Sequence, residues 1–279
     1  MLIFNTIDEL RTYLAKCREA GDSVGLVPTM GALHDGHLSL IGKAAYKNDR
    51  TIVSVFVNPK QFDNPDDLLN YPRTMKTDAV SAKAAGADAI FAPSAAEMYP
   101  EGFSTFVDIP DITNHLCGLS REGHFRGVLT VVSKLFNIVR PDRAYFGQKD
   151  FQQLELIRHM TRDLNLGIEI VACPTVREPD GLAMSSRNKH LSPAERKAAL
   201  CLRKAALAGA KAAADGNIRA NEIIKKMTKL IGSEPLAKID YVKIVNPLTF
   251  EDIQLAGEGS LIALAVYIGE TRLIDNHVL

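Results

Sequence analysis

Apolar and polar positions along this chain follow two alternating patterns. Short runs of aliphatic and β-branched residues recur: "SVGLVPT" (23–29), "TIVSVFVNP" (51–59), "DAIFAPS" (88–94), "AYFGQ" (144–148) and "IEIVACPTV" (168–176). Between them lie segments with helical periodicity, such as "LSLIGKAAYKN" and "TDAVSAKAAGA". Strands without a polar face are buried on both sides, and when each is followed by a helix they form a parallel sheet. The pattern predicts an α/β fold with a doubly wound parallel sheet. Ligands of such sheets bind beyond the carboxyl ends of the strands. Chemistry is therefore expected at residues 28–37, 58–61, 147–153 and the stretch after Val176.

Beyond about residue 176 the pattern changes. "SPAERKAALCLRKAALAGAKAAADG" reads as an Ala-rich helix with Ser192 as N-cap and Pro193 in its first turn. "ANEIIKKMTKLIG" reads as a second helix, and "IDYVKIVNP", "SLIALAVYIG" and "ETRLIDN" as three strands of a small antiparallel sheet. We expect two domains, 1–175 and a smaller α+β domain over 176–279, with no linker or repeat between them.

Composition narrows the class. At 279 residues, 46% hydrophobic and 24% charged, the chain is of ordinary globular type. Lys plus Arg and Asp plus Glu both number 33, so no net field draws it to nucleic acid or to an anionic membrane. Cys17, Cys117, Cys173 and Cys201 are far apart in sequence and read as buried free thiols of a reducing compartment. "MLIFNTIDELRTYL" lacks the basic flank and apolar core of a signal peptide, and no apolar run reaches membrane-spanning length, so a cytoplasmic location is expected.

Two of only seven histidines stand three apart in "GLVPTMGALHDGHLSL", after the first long apolar run and at a predicted helix start. Metal binding, phosphate binding and plain packing are all conceivable there. Zinc needs a third ligand, and no nearby Cys or carboxylate has the spacing. A helix start offers N–H groups and the positive end of its dipole, which favours an anion beside His34 and His37. Gly36 would let a bulky ligand approach the backbone. Asp66 and Asp67 in "NPDDLLN" read as carboxylates at a helix N-terminus, and no metal-ligating residues are expected.

H-x-G-H after the first strand of a Rossmann-like sheet resembles the nucleotidyltransferase superfamily. The longer strings "VPTMGALHDGHLSLI", "VSVFVNPKQFDNPDDLLNYPRT", "GHFRGVLTVVSKLFNIVRPDRAYFGQKDFQQL" and "PTVREPDGLAMSSRN" resemble the pantothenate synthetase family from residue 1 to about 195, and more weakly to the end. That resemblance implies ATP-dependent condensation of pantoate with β-alanine through a pantoyl adenylate, with release of pyrophosphate and AMP. It implies Mg²⁺ bound through ATP phosphates, small-molecule partners only, and a homodimer. A carboxylate with a pKa of about 4 is already nucleophilic, so the first half needs cations and N–H donors aimed at the phosphates.

The same resemblance implies the site. Catalytic residues are His37, His34, Lys149 and Arg187, with His37 as proton donor. ATP binding falls to Met30, Gly31, Ala32, Leu33, His34, Asp35, Gly36 and His37; to Gly147, Gln148, Lys149 and Asp150; and to Val176, Met184, Ser185, Ser186 and Arg187. Gln61 and Gln153 bind pantoate, and Gln61 with Asn58 seats β-alanine. Phe62, Val131 and Val132 are candidates for an apolar wall. Arg121, His124 and Arg126 in "SREGHFRG" are expected together at a lid or binding edge. Another H-x-G-H nucleotidyltransferase and a non-catalytic nucleotide-binding protein remain as alternatives.

Overall fold

The structure, a computed structural model, describes residues 1–63 and 65–279. These form two compact units. The first holds Met1–Thr113, Ser120–Gln148 and Leu156–Pro174; the second holds Asn114–Leu119, Lys149–Glu155 and Thr175–Leu279. Two short segments before residue 175 thus pack within the second unit.

The first unit is built on six strands: β1 (Leu2–Phe4), β2 (Val24–Thr29), β3 (Arg50–Val55), β4 (Ala89–Phe91), β5 (Arg143–Gly147) and β6 (Glu169–Cys173). They lie in the order β1-β4-β3-β2-β5-β6 with every pairing parallel. The chain winds from β2 outward through β3 and β4, then restarts on the other side at β5. The switch point, where such sheets bind ligands, therefore lies between the carboxyl ends of β2 and β5. Leu26, Val27, Ile52, Val53 and Ile90 are fully buried, which explains strands with no polar alternation. Each such side chain contributes about 1.5–3 kcal/mol. The helix Asp35–Lys47 lays Leu40, Ile41 and Ala44 against this sheet.

Among the elements that the sequence patterns did not mark are β1 and the helix His124–Val139. β1 is three residues at the sheet edge, with Leu2 and Ile3 still 49% and 43% exposed. So short and half-wet a strand leaves no periodic signal. The helix His124–Val139 runs against the turn Pro59–Gln61, and Gly127 makes that approach possible. A Cβ on Gly127 would collide with the Lys60 carbonyl.

In the second unit, the helices Pro193–Ala214 and Ala220–Gly232 pack on an antiparallel sheet of β7 (Ala237–Val245), β8 (Leu261–Ile268) and β9 (Thr271–Val278). Ser192 caps the long helix with Pro193 in the first turn, as the sequence predicts, and Glu195 completes a reciprocal capping box. Ala199, Leu202, Ala205 and Ala206 meet Ile223, Met227 and Ile231 over Ile262, Leu264 and Val266. Small residues on the long helix allow this close packing: a Cβ on Gly209 would lie 2.5 Å from the Met227 sulfur.

Asp66 and Asp67 occupy the first turn of the short helix Pro65–Leu69. Cys17, Cys173 and Cys201 are buried thiols, but Cys117 is only half-buried, against the Tyr241 hydroxyl and the Arg272 guanidinium. No helix among the described residues is long and apolar enough to cross a membrane.

Candidate active site

The turn after β2 bonds all four of its consecutive amides to side chains. Gly31 N–H donates to Thr29 Oγ1 (3.2 Å), Ala32 N–H to Asp78 Oδ2 (3.0 Å), Leu33 N–H to Asp78 Oδ1 (2.9 Å) and His34 N–H to His37 Nδ1 (3.4 Å). Gly31 and Ala32 both have left-handed backbone, φ +85° and +51°. For alanine that conformation costs roughly 1–2 kcal/mol, which the Asp78 bonds offset. What this turn offers an anion is its side chains and the helix mouth beyond.

His34 is the N-cap of the helix Asp35–Lys47 and His37 its third residue. Their rings stack with centroids 4.0 Å apart and a 31° tilt. Because His37 Nδ1 accepts the His34 N–H, the neutral ring carries its proton on Nε2. His37 is thus a hydrogen-bond donor at Nε2 before any protonation. Asp35 is exposed in the first turn, and the Gly36 carbonyl accepts from Ser39 Oγ at 2.8 Å.

After β3, Asn58 and Gln61 are locked in orientation. Asn58 Oδ1 accepts the Lys60 N–H (3.2 Å) and the Tyr99 hydroxyl (2.7 Å), so its Nδ2 must face the Gly127 carbonyl (3.1 Å) and Gln61 Oε1 (2.9 Å). Gln61 Nε2 then points at Met30 Sδ, 3.1 Å away. Burial raises the Tyr99 pKa well above the usual phenol value, keeping the hydroxyl a donor. Gln61 retains one N–H and one lone pair beyond these bonds. Asn58 is 1% exposed, with every amide position engaged. Through the bond from its Nδ2, Asn58 orients the Gln61 amide.

The basic loop is divided. His124 Nδ1 donates to the Gln61 carbonyl (2.8 Å), leaving Nε2 to accept from Arg121 (3.1 Å). Arg121 also pairs with Asp63 at 3.2 Å. Burial opposes ionisation of Asp63, but Arg121 holds its carboxyl below the usual range. Arg126 does not join them: its guanidinium lies 4.0 Å over the Phe106 ring. Phe62 packs edge-on to Tyr71, and Val131 and Val132 are core residues of the helix His124–Val139.

At the end of β5, a side chain on Gly147 would meet no atom within 4 Å, so the glycine leaves open space beside the switch point. Gln148, Lys149 and Asp150 form one turn of 3₁₀-helix. In the second unit, Lys149 Nζ lies 3.4 Å from Asp150 Oδ1, and the Lys149 carbonyl accepts from Asn276 Nδ2 of β9 at 2.8 Å. Gln152 is buried and bonded to Cys117 N–H and the His115 carbonyl; Gln153, one position on, is half-buried.

Val176 and Met184 face each other across a hairpin, Met184 N–H donating to the Val176 carbonyl (3.0 Å). The hairpin continues into Ser185, whose hydroxyl accepts from Arg187 N–H (3.3 Å) and caps the turn Ser186–His190. This segment is firmly tied. Asn188 donates to Glu178 (2.7 Å) and to the Ala183 carbonyl (3.1 Å), and Arg196 bridges Glu178 (2.6 Å) and Asp180 (2.8 Å). Arg177 makes a two-pronged pair with buried Asp275, both contacts 2.8 Å. The Arg196 and Asn188 hydrogen bonds hold the Glu178 carboxyl below the usual range.

Asp78, Tyr99, Gly127, Asn276, Glu178 and Arg196 support these side chains, and the sequence patterns singled out none of them. Asp78 lies 46 positions from Ala32 and Tyr99 lies 41 from Asn58. Only a capping-type spacing could have marked them locally, and they have none.

A family model described as Pantoate-beta-alanine ligase matches residues 2–278. The chain is 52% identical to "Pantothenate synthetase" of Moorella thermoacetica, over 100% of this chain and 99% of the relative. A crystal structure of pantothenate synthetase from Thermus thermophilus superposes with a TM-score of 0.94 at 44% identity, covering 100% of this chain and 99% of that one. A pantoate–β-alanine ligase from Francisella tularensis, complexed with "Beta-gamma ATP" and β-alanine, superposes with a TM-score of 0.81 at 37% identity, covering 100% and 97%. On fold, sequence and full-length match together, the chain belongs to the pantoate–β-alanine ligase family.

Proposed function

We propose that this chain performs its family's ATP-dependent ligation of pantoate to β-alanine in two steps, through a pantoyl adenylate. A pantoate carboxylate oxygen attacks the α-phosphorus of ATP; the bond to the β-phosphate oxygen breaks and pyrophosphate leaves. The amine of β-alanine, having lost a proton, then attacks the acyl carbon, and AMP departs with the bonding pair.

The observation that carries this reading is the His34–His37 pair at the helix mouth below the switch point, with a donor at His37 Nε2. Charge building on the phosphate oxygens is met there without acid–base chemistry on the carboxylate. Lys149 and Arg187 add cations for the departing pyrophosphate, Ser185 and Ser186 add hydroxyls, and Asp150 accepts from ribose. Roles in binding the nucleotide are assigned to Met30, the 31–33 turn, Gly147 and Gln148 in the first unit and, separately, to Val176 and Met184 in the second. Gln61 turns its remaining N–H and lone pair to pantoate and to β-alanine, and Gln153 serves pantoate from the start of the helix Phe151–Asp163. Both are neutral, which leaves the attacking carboxylate its full charge.

No group of three or more His, Cys, Asp or Glu among the described residues could hold a metal. Mg²⁺ would arrive with ATP, held through its phosphates, and would supply charge neutralisation there. A homodimer and a cytoplasmic location complete the proposal.

The test is to combine purified protein with ATP, Mg²⁺, D-pantoate and β-alanine, and to omit each in turn while following AMP. AMP release that needs all four, with pantoate-dependent pyrophosphate exchange in the absence of β-alanine, is the expected outcome. Exchange supported by a phosphorylated acceptor in place of pantoate would replace this reading with a different nucleotidyl transfer.

A further inference from the structure

We propose that Asp78 is a positioning residue of the adenylation step, a clamp on the turn from which His34 and His37 project. This rests on the role assigned above to those histidines. Asp78 belongs to the helix Met75–Ala84 and is 2% exposed. Its Oδ2 accepts the Ala32 N–H and the Thr74 hydroxyl, both at 3.0 Å, and its Oδ1 accepts the Leu33 N–H at 2.9 Å. No cation among the described residues pairs with it.

A buried carboxylate is costly unless its oxygens are satisfied. Here they are satisfied by two successive amides of one turn, a pattern a neutral side chain cannot reproduce. Asparagine would present an NH₂ group to one of the two N–H donors. The turn is shaped to receive the carboxylate. A Cβ on Gly31 would lie 3.1 Å from Asp78 Oδ2, so glycine admits the oxygen against the backbone. Ala32, at φ +51°, holds a conformation that persists only where its surroundings over-determine it. Asp78 supplies that constraint and so sets where the helix Asp35–Lys47 begins. The His34 ring is at that start, stacked on His37. Displacement of such groups by about 1 Å costs roughly 10²-fold in rate.

Asp78→Asn tests the clamp, with pantoate-dependent pyrophosphate exchange, KM for ATP, amide formation from preformed pantoyl adenylate and a melting curve all recorded. The expected variant is folded, loses exchange turnover by roughly 10²-fold, raises KM for ATP by a smaller factor than it lowers turnover, and still converts preformed adenylate. Wild-type exchange, or an equal loss in both half-reactions, would overturn the assignment. If the variant does not fold, amide hydrogen exchange of the wild-type protein decides. Protection of Ala32 and Leu33 comparable to β2 supports the clamp; exchange at open-loop rates removes it. Wild-type protein without pantoate-dependent exchange would refute the functional reading instead, and hydrogen exchange would still judge the clamp.

Discussion

At the scale of single residues, hydrogen-bond direction does more than proximity to define the site. His37 accepts at Nδ1 and so donates at Nε2, and Asn58 fixes which end of the Gln61 amide faces outward. His37→Ala is expected to lower pantoate-dependent pyrophosphate exchange by roughly 10²–10³-fold, with ATP affinity by calorimetry far less affected. Wild-type exchange in that variant would remove His37 from the chemistry. Tyr99→Phe deletes one of two donors to Asn58 Oδ1 and leaves the Lys60 N–H in place. It should cost about 1 kcal/mol of stability and raise KM for pantoate more than it lowers kcat. An unchanged KM would show that the Tyr99 bond does not reach Gln61.

At the scale of elements, the site depends on how closely backbones approach. Gly127 allows the helix His124–Val139 to rest on the turn that carries Gln61, and its carbonyl receives Asn58 Nδ2. Gly127→Ala improves helix propensity yet forces a methyl group into the Lys60 carbonyl. We expect a net loss of about 1–3 kcal/mol with weakened pantoate binding, read from thermal melts and KM; a stabilised variant would show that the turn yields. At the long helix of the second unit, Ser192→Ala breaks a reciprocal capping box. A loss of about 1 kcal/mol is expected, with no change in KM for either acid or amine.

For the whole molecule, charge is balanced overall but organised locally. Arg196 ties Glu178 and Asp180 of the hairpin that leads into Ser185–Arg187, and Arg177 holds buried Asp275. The hydrogen bond from Arg196, then that from Asn188, lowers the Glu178 pKa. Its stabilising contribution is therefore complete above the ordinary glutamate value of 4.5 and is lost as pH falls through the depressed folded value. The melting temperature should fall below that pH, and Arg196→Met should flatten the fall; an unaltered acid limb in the variant would dissociate the hairpin from acid sensitivity. Arg177→Met leaves Asp275 buried without its partner and is expected to cost roughly 3–5 kcal/mol, measured by denaturant unfolding.

Much of this protein was legible along the chain because the governing forces are local or periodic. Continuous β-branched runs reported strands buried on both faces, and Ser192 with Pro193 reported a helix start. The H-x-G-H spacing reported two imidazoles at a helix mouth, because residues three apart share a helix face. The tertiary structure alone decided which groups hold those residues in place. Asp78 reaches back 46 positions to Ala32, Tyr99 41 to Asn58, and Asn276 127 to Lys149. Hydrogen bonds of that kind leave no period in a sequence, since only folding brings a donor and an acceptor so far apart in the chain to within about 3 Å. For the same reason the bonds by which Asn58 orients Gln61 were not legible, since they depend on Tyr99 and Gly127 from distant parts of the chain.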